Sequence, residues 1–463
     1  MSDDHAAHAI SAYGSRVNQT PNLDRLAEEG ARLDAAFCTN SICSPSRATI
    51  LTGAYSHLNG VPSIYSEFDY RLPTFPECLQ ESGYATALFG KWHLGHGPAS
   101  NPRGFDDWKV FPDQGDYTDP LMISADGEEI VPGYATDVIT DLSLDWLSRQ
   151  DPEQPFCLLV HHKAPHRPWI PDVKHRDLYP VGSIPEPDTL FDDYATKSRA
   201  VREARMSIAD DLNEEDVKEA LPEHLRGDEN RVERTRWTYQ RYMRDYLQCI
   251  QSIDDNVGRL LDYLDERGQA ENTVVVYTSD QGFFLGDHGW YDKRFIYDES
   301  LQMPLLVRWP AEIPAGSHTE EIVTNVDFAG TFLDLCGLDA DEALPDAQGR
   351  SFRELLRGEV PGDWPQSMYY RYWEHDDPSH HAWAHYGVRT RTHKLVYYYA
   401  DGLGTPGSSD RPREPEWEMF DLVADPRELR NVADDPAYAG ERAALEEELA
   451  RLQAHYRDQP YTR

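Results

Sequence analysis

Short apolar runs that alternate with helical segments are the feature that most restricts the fold of this 463-residue chain. Four such runs span residues 85–89, 156–161, 273–278 and 303–307, with helical segments between them. Strands that alternate with helices are typical of a mostly parallel sheet with helices on both faces. The sequence therefore predicts an α/β fold built on a large mixed, mostly parallel sheet flanked by helices.

Two helices have clear boundaries or spacing. Thr20, Pro21 and Gly30 suit the cap, the first position and the exit of a helix over residues 20–30. Apolar residues at helical spacing predict a longer helix over residues 236–267. The charge-rich stretch between residues 182 and 236 is only loosely periodic, so we expect an insertion with short helices over the mouth of the site.

The character of the chain changes near residue 366. Residues 386–390, 394–399 and 417–421 resemble antiparallel strands, and residues 438–456 form an amphipathic helical pattern. We therefore predict a catalytic α/β domain over residues 1–365, with an insertion at about 182–236. A smaller C-terminal α+β subdomain, an antiparallel sheet packed by a helix, is predicted over residues 366–463.

The charge balance excludes several classes of partner. The chain has 82 acidic and 44 basic residues, a formal net charge of −38. Nucleic acids and anionic membranes require a basic surface, so neither is expected as a partner. The sequence contains no apolar run of about 18 residues, so it predicts no membrane span. An anionic substrate would need a local positive site, and the chain has few lysines from which to build one.

The segment Cys43-Ser44-Pro45-Ser46-Arg47 carries the strongest chemical signal. Pro45 can start a helix, which places residue 43 at the positive end of the helix dipole. The segment resembles the signature of the type I, formylglycine-dependent sulfatases of the alkaline phosphatase-like superfamily. In that family the cysteine is oxidised after translation to formylglycine.

Five further segments resemble motifs of this family and occur in the order that it shows. They are Asp3-Asp4, Gly90-Lys91-Trp92-His93-Leu94-Gly95, Ala164-Pro165-His166-Arg167-Pro168-Trp169, Ser279-Asp280-Gln281-Gly282 and Gly289-Trp290-Tyr291-Asp292-Lys293. The resemblance extends from Ser2 to the last residues of the chain. It implies an alkaline phosphatase/sulfatase-like fold, in agreement with the strand pattern.

The resemblance also implies roles for ten residues. Asp3, Asp4, Asp280 and Gln281 would bind calcium, a hard cation that prefers oxygen ligands; many relatives have Asn or His where Gln281 stands. The catalytic set would be Cys43, Arg47, Lys91, His93, His166 and Lys293.

The family's mechanism assigns a task to each member of that set. A hydroxyl of the hydrated residue 43 attacks sulfur, and Asp280 or its neighbour accepts the proton. Calcium, Lys91 and Lys293 neutralise the sulfate oxygens. His166, with Lys293, protonates the leaving alcohol, and His93 removes the proton from the remaining hydroxyl so that sulfate is expelled.

We therefore expect hydrolysis of sulfate monoesters on a sulfated carbohydrate, such as a polysaccharide or glycosaminoglycan fragment. A formylglycine-generating or anaerobic sulfatase-maturing enzyme is the expected maturation partner. Three alternatives remain: a phosphonate monoester or phosphodiester hydrolase of the same superfamily, a non-catalytic glycan-binding relative, and a metal-dependent phosphatase. The last would normally place Ser or Thr at position 43.

The start of the chain raises a separate expectation. In relatives an apolar strand runs into the aspartate pair, whereas here only Met1 and Ser2 precede Asp3. We therefore expect the true start to lie upstream. No signal peptide opens the sequence, so the chain as it stands is expected to be cytoplasmic, with export possible from an upstream start.

Overall fold

The computed structural model describes residues 1–95, 97 and 99–462. Its strands are β1 Ala31–Leu33, β2 Ala36–Phe37, β3 Ala85–Gly90, β4 Asp107–Val110, β5 Leu121–Ser124, β6 Gly127–Ile130, β7 Phe156–His161, β8 Val275–Thr278, β9 Leu305–Arg308, β10 Ser317–Thr319, β11 Val323–Thr324, β12 Ser367–Tyr372, β13 His385–Thr390, β14 His393–Tyr398 and β15 Glu416–Asp421. Its α-helices are α1 Pro21–Glu29, α2 Cys43–Thr52, α3 Ser56–Asn59, α4 Phe75–Glu81, α5 Ala135–Ser148, α6 Arg199–Arg202, α7 Glu214–Val217, α8 Arg231–Glu266, α9 Asp298–Leu301, α10 Asp327–Leu335, α11 Ala340–Ala343, α12 Arg353–Leu356 and α13 Ala439–His455.

Two sheets form the centre of the fold. One has the strand order β6-β5-β4-β3-β7, in which β3 is parallel to both β4 and β7. The other has the order β10-β1-β9-β8, in which β9 is antiparallel to β8 and β1. The predicted α/β fold with parallel and antiparallel strands is therefore confirmed.

The first two residues of the chain lie between these two sheets. The Met1 amino group donates to the carbonyl of Val160 at 2.8 Å, and the His162 N–H donates to the Met1 carbonyl at 2.9 Å. Ser2 pairs in parallel with Ser279, the residue after β8. Backbone hydrogen bonds thus run from β7 through Met1 and Ser2 to β8, which brings Asp3 to the carboxyl ends of both strands.

Helix α1 occupies the predicted segment, but its N-terminus is capped from another helix. The N–H groups of Asn22 and Leu23 donate to Asp254 Oδ1 of α8 at 3.0 and 2.9 Å, while the Thr20 hydroxyl bonds to the N–H of Ser11. At the exit, a Cβ on Gly30 would lie 2.2 Å from the carbonyl oxygen of Val307 in β9. Glycine is required there because the backbone of β9 approaches so closely.

The C-terminal sheet is antiparallel and has the order β12-β13-β14-β15, as predicted. Helix α13 packs against it through Leu445, Leu449 and Leu452. A buried ion pair joins the end of the chain to this sheet: Arg371 Nη1 in β12 lies 2.7 Å from Asp458 Oδ1.

The segment over residues 182–236 contains the short helices α6 and α7 and the start of α8. Helix α8 begins at Arg231, five residues before the predicted start. Ser207 pairs with Trp290, and the N–H of Tyr291 donates to the Met206 carbonyl at 3.0 Å. This segment therefore packs against the residues that precede Lys293 in the chain. Within the described residues, the structure contains no helix long and apolar enough to cross a membrane.

Candidate active site

Chain segments that follow three neighbouring strands meet at one edge of the central sheets. Lys91 follows β3, His162 and Lys163 follow β7, and Asp280 lies two residues after β8. Gly90 lets β3 end close to β7, since a Cβ there would lie 2.0 Å from the carbonyl oxygen of His161. Ligands of open α/β sheets bind beyond such carboxyl ends.

Three buried carboxylates form the centre of the site. Asp3, Asp4 and Asp280 each place an oxygen within 4.8 Å of the others. The backbone N–H of Asp4, which has a positive φ of 65°, donates to Asp280 Oδ1 at 3.2 Å. Gln281 donates its amide Nε2 to Asp4 Oδ1 at 2.5 Å, whereas its buried Oε1 has no hydrogen-bond partner among the residues that the structure describes.

The electrostatics of this cluster favour a bound cation. Burial, with repulsion from neighbouring carboxylates, raises the pKa of Asp4 to about 7 even though Lys293 is adjacent. Burial and the charge of Asp3 raise the pKa of Asp280 to about 6. A divalent cation would offset the burial and the repulsion that raise these two pKa values. Together with the amide oxygen of Gln281, the three carboxylates offer the all-oxygen ligand set that calcium prefers. These residues therefore fit the ion that the family implies.

Cys43 is the first residue of α2 and is buried. Its Sγ donates to Asp3 Oδ1 at 3.4 Å, and Asp3, Cys43 and His166 place their ligand atoms within 4.8 Å of one another. Burial, and next the charge of Asp3, raise the pKa of the Cys43 thiol to about 12. The unmodified thiol is therefore protonated at neutral pH and is a poor nucleophile.

Three buried cations surround the carboxylates. Lys91 Nζ contacts Asp3 Oδ2, and Lys293 Nζ lies 2.6 and 2.8 Å from the two oxygens of Asp4. Arg47, in the second turn of α2, binds Asp280 Oδ2 and also donates to the Lys91 carbonyl at 2.8 Å. Burial opposes ionisation of Asp3, but the charge of Lys91, with those of Arg47 and Lys293, holds the pKa of Asp3 well below its usual value.

The two predicted histidines lie on different sides of the cluster. His166 Nδ1 donates to the carbonyl of Arg167 at 2.6 Å, and its Nε2 lies 3.7 Å from Asp4 Oδ2. His93 has a positive φ of 57°, and its Nδ1 lies 3.4 Å from the Ser44 hydroxyl. Burial, and next the charge of Lys91, lower the pKa of His93 to about 4, while burial lowers the pKa of His166 well below its usual value. Both rings are therefore neutral in this state.

The structure brings all ten predicted residues together and adds others to which the sequence analysis assigned no role. The side chain of Gln114 contacts Lys91 and His93, and Lys163 Nζ donates to the Gln114 carbonyl at 3.1 Å. Ser46 donates to the Asp280 carbonyl and accepts from Asn325 at 2.9 Å. Ser46 lies inside the Cys43 motif, but Gln114 and Asn325 have no local signal because their partners are distant in sequence.

This arrangement can bind a tetrahedral oxyanion. Cys43, the residue that would carry the nucleophile, lies among buried lysine and arginine side chains. A carboxylate cluster suited to a divalent cation lies beside it. Positive groups placed in a water-poor site stabilise the charge that develops in a transition state. The geometry is thus that of an ester hydrolase acting on an anionic group.

Comparison with known proteins agrees with this geometry. Residues 1–338 match the family model described as sulfatase, and residues 286–455 match a model described as the C-terminal region of N-sulphoglucosamine sulphohydrolase. An N-acetylglucosamine-6-O-sulfatase from Bacteroides thetaiotaomicron is 42% identical, over 99% of this chain and 86% of the relative. A choline-sulfatase from Rhizobium meliloti is 29% identical, over 92% of this chain and 80% of the relative.

Solved structures give the same result. A protein solved in complex with its substrate, D-glucosamine-2-N,6-O-disulfate, is 40% identical, with a TM-score of 0.88 over 99% of this chain and 97% of that chain. A phosphonate monoester hydrolase from Agrobacterium radiobacter shares the fold at 21% identity, with a TM-score of 0.76 over 98% of this chain and 94% of that chain. The family model covers well over half of the chain, and the chain belongs to the sulfatase family.

Proposed function

We propose that this sulfatase removes the 6-O-sulfate from a sulfated glucosamine. The observation that carries the proposal is the similarity, along nearly the whole of both chains, to the protein solved with D-glucosamine-2-N,6-O-disulfate. The 42% identical N-acetylglucosamine-6-O-sulfatase supports the same position of the ester on the same sugar. Both relatives keep their similarity over the C-terminal region as well as over the site.

Two groups absent from the chain as translated complete the site in this proposal. Formylglycine, made from Cys43 by a formylglycine-generating or anaerobic sulfatase-maturing enzyme, supplies an aldehyde hydrate as the nucleophile. Asp3, Asp4, Asp280 and Gln281 would hold calcium, which would supply positive charge that neutralises a bound sulfate ester.

The remaining residues bind sulfate and move protons. Lys91 and Lys293 neutralise sulfate oxygens, and Arg47 holds the Asp280 carboxylate in the orientation from which it could bind a metal ion or accept a proton. The Arg167 carbonyl can only accept, so it fixes the Nδ1 proton of His166 and leaves Nε2 facing the site, where a protonated ring can donate to the leaving alcohol. The neutral His93 ring is suited to accept a proton in the step that releases sulfate.

A buried polar cluster lies beside Lys293. Arg294 Nη1 lies 3.1 Å from Glu374 Oε2, and His380 Nδ1 lies 3.1 Å from Asp377 Oδ1. Arg294 Nε and His380 Nε2 pair with Asp292 at 3.3 and 3.5 Å. These buried pairs hold Asp292 and Arg294, the two residues on either side of Lys293, in place.

The test is sulfate release by the converted, calcium-loaded protein from three defined sugars: N-acetylglucosamine 6-sulfate, glucosamine N-sulfate and glucosamine N,6-disulfate. We expect turnover of both 6-sulfated sugars and negligible turnover of the sugar sulfated only on nitrogen. Faster turnover of the N-sulfate would instead favour the activity named by the C-terminal family model.

A comparison of an aryl sulfate with an aryl phosphodiester separates the sulfatase from the phosphonate or phosphodiester hydrolase. Similarity to the phosphonate monoester hydrolases is at 21–23% identity and carries the fold alone. We expect the aryl sulfate to be the better substrate. A reversed preference would contradict the proposed function, and binding of the sugar without any turnover of the converted protein would favour the glycan-binding alternative.

A further inference from the structure

Gln114 links the two active-site groups that follow β3. It lies in the loop between β4 and β5, outside the motifs noted in the sequence, and is partly buried. Its side-chain Oε1 accepts from Lys91 Nζ at 2.5 Å, and its Nε2 lies 3.1 Å from His93 Nε2. Its backbone carbonyl accepts from Lys163 Nζ at 3.1 Å, which anchors the loop over the site.

The hydrogen-bonding capacity of each group fixes the orientation of the Gln114 amide. An ammonium group has only donors, so the atom that faces Lys91 must be the carbonyl oxygen of the amide. The NH₂ group of Gln114 therefore faces His93 and can only donate to it. His93 Nε2 must then be an acceptor, which means that the neutral ring carries its proton on Nδ1.

The opposite side of the ring agrees with this tautomer. The Ser44 hydroxyl donates to the His93 carbonyl at 2.7 Å, which commits its hydrogen and leaves its oxygen as an acceptor. That oxygen lies 3.4 Å from His93 Nδ1, where a ring N–H can donate. A directed series of contacts therefore runs from Lys91 through Gln114 and His93 to Ser44.

A carboxylate competes with Gln114 for the same ring nitrogen. Asp113 Oδ1 lies 3.2 Å from His93 Nε2, and the Asp113 side chain is exposed. The other charges that act on His93 are Lys91 and Arg47, which oppose protonation, and Asp3, which favours it. Gln114 thus stabilises the neutral ring, whereas Asp113 is placed to accept a hydrogen bond once the ring has taken up a proton.

We propose that Gln114 is a positioning residue that holds the Lys91 ammonium and keeps the lone pair of His93 on Nε2. Its effect on turnover rests on the proposed function, in which His93 accepts the proton of the remaining, non-attacking hydroxyl of residue 43 in the step that releases sulfate. The proton adds to Nε2, the Gln114 N–H gives up its contact, and the new ring N–H can turn to Asp113.

Two variants separate the two contacts of Gln114. Gln114→Met has a similar length but removes both, and Gln114→Glu keeps an acceptor for Lys91 while replacing the donor to His93 with a carboxylate. Gln154→Ala is the matched control, since Gln154 is exposed at the amino end of β7 and donates to the Gly83 carbonyl. Thermal unfolding of each variant checks that the fold is kept.

The primary measurement is the tautomer of His93, read from ¹⁵N NMR of histidine-labelled protein, with the signal assigned by its absence in His93→Gln. We expect the Nδ1–H tautomer in the wild type and in Gln154→Ala, and a mixture of tautomers in Gln114→Met. An Nε2–H tautomer in the wild type would overturn the proposal. This readout does not require turnover, so it stands apart from any failure of the proposed function.

Kinetics on N-acetylglucosamine 6-sulfate give the second measurement. Gln114→Met should lower kcat by about 10- to 100-fold, the lower range of what a positioned proton-transfer group contributes. Gln114→Glu should keep KM within about 3-fold, because Lys91 keeps its acceptor. Its acid limb should move to higher pH, because a carboxylate stabilises the imidazolium. Wild-type kcat in both variants, with an unchanged acid limb, would overturn the positioning role.

Discussion

Arg47 Nε donates to Asp280 Oδ2 at 2.9 Å, and Arg47 Nη2 lies at the same distance from that oxygen as part of the ion pair. Both side chains are buried, so neither can exchange its partner for water. Loss of the Arg47 guanidinium would leave the Asp280 carboxylate without this partner in the core.

We therefore predict that Arg47→Ala lowers stability by about 3 kcal/mol, the cost typical of breaking a buried ion pair. It should also abolish measurable sulfatase turnover. Chemical denaturation in the absence of calcium measures the first effect. Arg71→Ala is the matched control, because Arg71 pairs with Asp69 on the surface, and its unfolding midpoint should not change. An unchanged midpoint in Arg47→Ala would show that the pair contributes nothing to stability.

Replacement of Cys43 tests the nucleophile. Cys43→Ala should lower turnover of an aryl sulfate by more than about 1000-fold while leaving the circular dichroism spectrum unchanged. The control is Cys78→Ala, since Cys78 lies in α4 and donates to the Ala343 carbonyl, well away from the site. Full activity of Cys43→Ala would refute the mechanism, and the mass of the peptide containing residue 43 in the wild type reports whether the thiol was converted.

Replacement of His166 tests the general acid. His166→Gln should lower kcat on N-acetylglucosamine 6-sulfate by about 10²- to 10⁴-fold, because the sugar alkoxide leaves poorly without a proton. An aryl sulfate has a better leaving group, so its turnover should fall far less. Equal losses on both substrates would argue against proton donation by His166 and would assign that task to Lys293.

Calcium binding can be measured without any substrate. Calcium at about 100 times its Kd should stabilise the wild type by about 2.7 kcal/mol, seen as a higher thermal unfolding temperature, and a chelator should reverse this. Asp280→Asn should lose most of the shift. Asp126→Asn, in the exposed turn between β5 and β6, should keep it. Retention of the full shift by Asp280→Asn would place the ion elsewhere.

Sequence reasoning identified the parts of the site whose signals are local. The motifs containing Lys91 and Asp280 follow apolar strands, and the strand pattern alone places their side chains at the edge of a sheet. Gln114 could not be found in this way, because its contacts to Lys91 and His93 cross 23 and 21 residues of loop and strand.

The fold likewise has features with local sequence signals and features that depend on long-range contacts. The boundaries of α1 were predicted closely, whereas its cap comes from Asp254, 231 residues away from Leu23 along the chain. The short strands β5 and β6 were not predicted, since their pattern is brief and β6 is exposed. Long-range contacts decide these features, and a single sequence does not display them.

Arg47 and Asp280, which pair in the folded protein, are synthesised at different times. The two residues are 233 positions apart, and the Cys43 motif emerges from the ribosome first. At the ordinary rate of translation, the second half of the site follows on the order of ten to fifty seconds later. During that interval Cys43 cannot be enclosed by Asp280 and Gln281. Any enzyme that modified residue 43 on the nascent chain would therefore meet an accessible thiol, which the finished fold then buries.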